Sequence, residues 1–296
     1  MARRLAVIGL TIVVWAVVVG MFLVAMGVMV RVPESPALPL GPRVAVVELE
    51  GVILDVEDLL KDLKAYRENP QVRAIVIRIN SPGGVVGPSQ ELYEALLRVR
   101  KAGKPVVASL GAVAASGGYY VAVAADRIVA NPGSLTGSIG VIMQMANLQQ
   151  LMKKVGVEYV VIKAGQFKDV GNVSRPMTPE ERRVLQSLLD DVHGQFIRAV
   201  AAGRKLDPAQ VARFADGRIF SGAQARGLGM VDELGSLEDA VDRAAQLAGL
   251  ELPPRVTPPR RRFSIFDLVR SEFGLGRAGA LAPALPLFKT PLYLMD

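Results

Sequence analysis

Apolar positions along this chain fall into two kinds of run. Leu5 to Val30 is a single stretch of 26 residues without a charge. About 20 apolar residues rising 1.5 Å each cross the hydrocarbon of a bilayer, so this stretch predicts an uncleaved transmembrane helix. From Arg43 the pattern changes. Short β-branched runs at Val44–Leu49, Ala74–Ile79, Pro105–Leu110, Arg127–Ala130 and Glu158–Lys163 read as strands. Amphipathic stretches separate them: Asp55 to about Asn69 with Val56, Leu59, Leu60 and Leu63 on one face, Ser89–Arg100 with Leu92, Leu96 and Val99, and Asn147–Val155. This alternation predicts an α/β fold with a largely parallel sheet covered by helices. Thr178-Pro-Glu-Glu181 is a capping box with proline at the first helical position, and it starts a helix predicted to reach about Ala202. Two further helices are expected at Asp207–Phe214 and Leu237–Leu250.

The pattern divides the chain into residues 1–31 (cytoplasmic N-terminus and anchor), a proline-rich linker at 32–42, a domain at 43–250 and a tail at 251–296. The tail holds several prolines and Arg260-Arg261-Arg262, and it reads as extended or flexible, with contacts to a membrane surface. Charge sharpens this picture. The net charge is +7, but residues 1–43 and 251–296 contribute +3 each, which leaves the domain near neutrality. A neutral domain has no electrostatic footprint for nucleic acid. Arg3 and Arg4 before the apolar run favour a cytoplasmic N-terminus and place the rest of the chain outside.

Composition narrows the chemistry. The chain has no cysteine and one histidine, His193. Disulfides, thiol catalysis and multi-histidine metal sites are therefore excluded, and no metal or other cofactor is expected. His193 lies in a charged helical stretch and reads as solvated or structurally bonded.

One segment stands out as chemical. Ala115-Ser-Gly-Gly-Tyr-Tyr120 runs from the end of an apolar strand into a helix of small residues. Ser116 is its candidate nucleophile. A serine at a helix start lies near free backbone N–H groups, which suit a developing oxyanion. Two bland readings compete: Gly117 and Gly118 only allow close packing, and Asn80-Ser-Pro-Gly-Gly84 is only a strand-to-helix turn. Both glycine-rich segments fall at the carboxyl ends of predicted strands, where open α/β folds bind ligands. With His193 an unsuitable base, Ser116 is left with a carboxylate, a lysine or an external group. Asp126 looks structural. Lys168 lies in a glycine-flanked loop before the capped helix. A lysine serves as a base when its pKa is lowered by roughly 3 units from about 10.4. Its bland alternative is a surface lysine paired with Asp169. Ser138, in Thr136-Gly-Ser-Ile-Gly140, could orient a lysine or simply belong to a turn.

Taken together and in order, Arg78-Ile-Asn-Ser-Pro-Gly-Gly84, Ala115-Ser-Gly-Gly-Tyr-Tyr120, Thr136-Gly-Ser-Ile-Gly-Val141, Gly165-Gln-Phe-Lys-Asp169, Gly217-Arg-Ile-Phe-Ser-Gly222 and Gly229-Met-Val-Asp-Glu-Leu-Gly235 resemble the signal peptide peptidase A family. The resemblance covers about residues 44–250. It implies a bacterial membrane-bound serine endopeptidase with a ClpP/crotonase-like fold of repeated ββα units. By motif it assigns Ser116 as nucleophile, Lys168 as general base, Gly83 and Gly117 as oxyanion donors and Ser138 as the residue steadying the lysine. The single-domain length resembles the short form, which assembles into a ring-like homo-oligomer. Released signal peptides and other membrane-proximal peptides are the implied substrates, and the extracytoplasmic side of the bacterial inner membrane the implied location. Two other readings use the same scaffold: an acyl-CoA enzyme without a serine nucleophile, and a non-catalytic membrane scaffold.

Overall fold

The computed structural model describes residues 14–15, 17–21, 41–259 and 292–294. The chain forms two compact units, 1–41 and 42–296. In the first, residues 14–15 and 17–21 are helical. The rest of the predicted anchor over residues 5–30, the linker before Gly41 and most of the tail beyond Pro259 lie outside the described residues. Among those described, no helix is long and apolar enough to cross a membrane.

The second unit is built around strands β1 (Arg43–Glu50), β2 (Val72–Ser81) and β4 (Val106–Ala115). Their near-continuous apolar runs are those of strands covered on both faces. They lie side by side and parallel, with Val46 beside Val76 and Ile77 beside Ala108. Alternation along β1 sends Ala45, Val47 and Leu49 into the larger core and Val44 and Val46 into a smaller one. The larger core is closed by α1 (Glu57–Glu68), α2 (Val86–Lys101), α3 (Gly117–Ala122) and α5 (Pro179–Arg204). The smaller one is closed by Ala240, Ala244 and Ala245 of α8 (Leu237–Leu247).

Short strands complete an eight-stranded sheet among the described residues. β5 (Arg127–Ala130) and β6 (Leu135–Gly137) both pair in parallel with β4, at successive stretches of it. β7 (Ile219–Ser221) pairs antiparallel with β6, whereas β8 (Glu233–Leu234) pairs in parallel with β5 and β9 (Val256–Thr257) in parallel with β1. Off this sheet, β3 (Gly83–Val85) pairs antiparallel with β10 (Leu292–Leu294). The remaining helices are α4 (Gln149–Val155), α6 (Pro208–Ala212) and α7 (Gly222–Gly227).

The α/β prediction holds, including the parallel sheet and the Thr178 capping box. Two local readings change. The Asn131–Gly140 segment contains β6 as well as turns. The strand expected at Glu158–Lys163 does not form: Val160, Val161 and Ile162 are exposed and paired to no other strand. A β-branched run makes a strand only where a neighbouring edge accepts its N–H and C=O groups, and the chain has left the sheet here.

Candidate active site

The carboxyl end of β4 delivers Ser116 directly into α3. Ser116 takes φ 51° and ψ −118°, a conformation that costs a non-glycine residue about 1–3 kcal/mol. The surroundings hold it there. Its N–H donates to the Gly137 carbonyl at 2.8 Å, and its own carbonyl accepts from Tyr120 N–H at 2.8 Å. The side chain is fully buried, and its Oγ has no hydrogen-bond partner among the described residues. A buried hydroxyl without a partner is uncommon, and a strained backbone around it points to a functional group.

The two glycines after it have separate jobs. Gly117 is the first residue of α3, where a backbone N–H has no intrahelical acceptor. Gly118 packs: a Cβ there would sit 2.9 Å from the Ser81 carbonyl oxygen. The packing reading thus fits Gly118, and Gly117 leaves an unused donor beside Ser116.

Register sets Ser138 next to Ser116. β6 pairs with β4 so that Gly137 lies opposite Ala115, and the next residue of each strand is a serine with positive φ, 51° at Ser116 and 50° at Ser138. Ser138 is buried, and its N–H donates to the Arg218 carbonyl at 2.8 Å. This is the contact through which the Gly217–Gly222 motif supports the site.

The Asn80–Gly84 loop is more than a turn. Gly83 has φ 106°, and its carbonyl accepts from Ile53 N–H at 2.8 Å while Val85 N–H donates to the Ile53 carbonyl at 2.7 Å. A Cβ at Gly84 would lie 2.2 Å from the Ile53 oxygen. Gly83 N–H already donates to Ser81 Oγ at 3.1 Å, so it serves an oxyanion only by exchanging that partner.

Lys168 stands in a different setting. None of residues 141–178 is buried. Lys168 is exposed, and its ammonium has no hydrogen bond or ion pair with any described residue. The surface pair with Asp169, the bland alternative, does not form among the described residues. Asp169 instead binds Lys163 and, at 3.0 Å, Arg175. Arg175 also binds Glu181, whose carboxylate accepts the Thr178 N–H of the capping box at 2.9 Å. The hydrogen bond from Lys163, aided by Arg175, holds Asp169 well below the usual carboxylate range, at about 2. Arg175 and the Thr178 N–H do the same for Glu181, also to about 2. This network ties the Lys168 segment to the start of α5. Arg175 was not singled out in the sequence, although it stands six residues from each of two acids, Asp169 and Glu181.

The other predicted roles resolve simply. His193 Nε2 lies 3.2 Å from the Ile139 carbonyl, a structural bond. Asp126 receives Arg100 Nε at 2.7 Å and Val106 N–H at 2.9 Å, which fixes the start of β4. The Gly229–Gly235 motif also supports the fold. The Met230 carbonyl accepts the buried Tyr119 hydroxyl at 2.9 Å, and Asp232 accepts the Ile128 N–H at 2.7 Å and pairs with Arg204. Burial pushes the Tyr119 phenol far above its ordinary value, so it stays a neutral donor.

Known proteins carry similar sequences. Residues 98–251 match Peptidase family S49. A Synechocystis sp. chain with a protease name is 48% identical over 211 residues, 71% of this chain and 76% of its own length. Protease 4 of Salmonella typhi is 36% identical over 220 residues, 71% of this chain but 35% of its own. The chloroplastic serine protease SPPA of Arabidopsis thaliana is 34% identical over 208 residues, 70% of this chain and 31% of its own. This chain therefore spans about a third of the two longer relatives. Its fold, its unpartnered serine and these matches lead to one conclusion: the chain belongs to peptidase family S49.

Proposed function

We propose that the chain is a Ser-Lys endopeptidase on a ClpP/crotonase-like scaffold. The observation that carries this reading is Ser116, a buried, strained hydroxyl without a partner beside the unused Gly117 N–H. In the proposed step a neutral Lys168 takes the proton of Ser116 as Oγ attacks a peptide carbonyl. The oxyanion is held by the N–H groups of Gly117 and Gly83, the latter released from Ser81. Collapse expels the amine, which takes the proton from Lys168. Water, deprotonated by the same lysine, then cleaves the acyl-enzyme to a free carboxylate and regenerates Ser116.

Lys168 is proposed to reach the serine of a neighbouring copy in a homo-oligomeric ring. Two features support this: the wholly unburied segment that bears Lys168, and the row of exposed apolar residues on it. Ser138 would orient the incoming ammonium. The apolar run at 5–30 is proposed as a single membrane anchor with the catalytic domain on the extracytoplasmic side of the inner membrane. Released signal peptides, apolar and membrane-proximal, are the proposed substrates.

A fluorogenic apolar peptide tests the dyad. Ser116→Ala and Lys168→Ala should each abolish turnover, and mixing the two variants should restore part of it. Wild-type turnover in both single variants would sink the assignment. Inactive mixtures beside an active parent would place the dyad within one chain.

A further inference from the structure

A cavity at the amino ends of the strands takes no part in the proposed chemistry. Ser116 follows the carboxyl end of β4, whereas this cavity lies against Pro105 and Ala125–Arg127, at the starts of β4 and β5. The 10 residues of β4 put roughly 30 Å of strand between the two places. The cavity volume is about 430 Å³, within the range of small-molecule sites. Five cations line it, Arg100, Lys104, Arg127, Arg204 and Lys205, against two carboxylates, Asp126 and Asp232. Its wall therefore carries three net positive charges, in a domain that is otherwise near neutrality.

Structural duty accounts for part of this set. Arg100 pairs with Asp126 at 2.7 Å and Arg204 with Asp232 at 2.8 Å. Lys104 donates to the Tyr66 and Asn69 carbonyls. Burial, with Arg73 nearby, pushes its ammonium below the ordinary value. The cavity also borders the carboxyl ends of α2 and α5, each of which offsets about half a charge. About two positive charges then remain without a counterpart. Arg127 spends one N–H on the Asp126 carbonyl at 3.1 Å, and the Lys205 ammonium bonds to no described residue. Lys205 also ends α5 with φ 54° and ψ 41°, a left-handed position where glycine is usual.

From this lining we infer that the cavity is a binding site for a multiply charged phosphate, either a phosphomonoester or a diphosphate. A cleft lined by one sign of charge concentrates ions of the other, and the planar arginine fork meets two phosphate oxygens at once. A single carboxylate would leave one of the two charges unmatched. A soluble phosphate and a phosphate-ended lipid headgroup share this chemistry. The inference does not depend on the peptidase reading of Ser116.

The experiment titrates the full chain in detergent with pyrophosphate by calorimetry. The parent should bind saturably. Lys205→Asn, which keeps a residue tolerant of left-handed backbone, and Arg127→Gln should each weaken binding about tenfold. Both side chains are exposed, so neither change disturbs a core. Arg182→Gln removes the same charge from an exposed position at the other end of α5, about 33 Å away along the helix, and should bind like the parent. A parent that binds no pyrophosphate, cavity variants that bind like the parent, or an equal loss in Arg182→Gln would overturn the inference. Water-soluble dihexanoyl phosphatidic acid then separates the sources. Displacement of pyrophosphate by this lipid, weakened in Lys205→Asn, would assign the site to a headgroup. Pyrophosphate binding that the lipid leaves undisturbed would assign it to a soluble phosphate.

Discussion

Two regions bear the proposed dyad, and they are built on opposite principles. Around Ser116 the chain is fully enclosed. β4, β6 and α3 meet there, both serines hold left-handed backbone, and Gly118 packs against the Ser81 carbonyl. Around Lys168 nothing is enclosed. The segment 141–178 buries no residue, its only helix, α4, has no buried side chain, and Ile162 is 97% exposed. Charges replace a core there: Lys163, Asp169, Arg175 and Glu181 hold the segment to α5. Ser116 is thus preorganised by one chain's own packing, whereas the segment that bears Lys168 has ion pairs and no interior. The exposed Val160, Ile162 and Phe167 suit the proposed contact with a neighbouring copy.

That contrast can be broken at several points. The largest expected effect is on turnover. Ser116→Ala should lower kcat by a factor on the order of 10⁶, yet leave the urea midpoint within about 0.5 kcal/mol of the parent, because Oγ makes no hydrogen bond that could be lost. A collapse in stability equal to the collapse in rate would mean that the hydroxyl is structural. Next in size is a comparison of two apolar truncations. Phe196 is fully buried against Tyr120, and Phe196→Ala should cost about 3–5 kcal/mol in urea denaturation. Ile162→Ala should cost less than about 0.5 kcal/mol in the isolated chain but weaken self-association in sedimentation. Equal costs for the two would erase the distinction between the regions.

The smallest effect concerns pH. Asp169 and Glu181 have native pKa values depressed to about 2, against about 3.9 and 4.3 in an unfolded chain. Depressed acids stabilise fully above the unfolded values, and the contribution is lost as pH falls from about 4 towards 2. Protection of the 163–181 amides in hydrogen exchange should fall through that window before the β2 and β4 amides respond. Arg175→Gln should weaken the dependence, leaving the part that Lys163 and the Thr178 N–H supply. A segment that loses protection in step with the central strands would show that the ion pairs do not govern it.

Legibility in the sequence followed the same divide. β1, β2 and β4 could be read directly because strands buried on both faces have to be continuously apolar. α1, α2 and α5 were visible from amphipathic spacing and the Thr178 cap. Val160-Val161-Ile162 misled, because β-propensity says nothing about whether a pairing edge is present. β6 was missed because three residues among turn formers give too short a pattern. Ser116, Gly83, Gly117, Ser138 and Lys168 were singled out from motifs as candidates. The Ala115–Gly137 register that aligns the two serines was not, because pairing between distant strands leaves no local trace. The engaged state of Gly83 N–H was equally hidden, since it depends on where Ser81 turns its hydroxyl.

The bond from the Tyr119 hydroxyl to the Met230 carbonyl spans 111 residues of sequence. It joins the helix that carries Ser116's neighbours to a segment made much later. A ribosome adds about 5–20 residues per second, so the chain emerges with Ser116 for many seconds before Met230 exists. Until then the buried phenol lacks its acceptor, and β8 cannot pair with β5. For the proposed peptidase this sets an order of assembly: the candidate nucleophile is made early, and the acceptor that anchors its helix follows 111 residues after Tyr119.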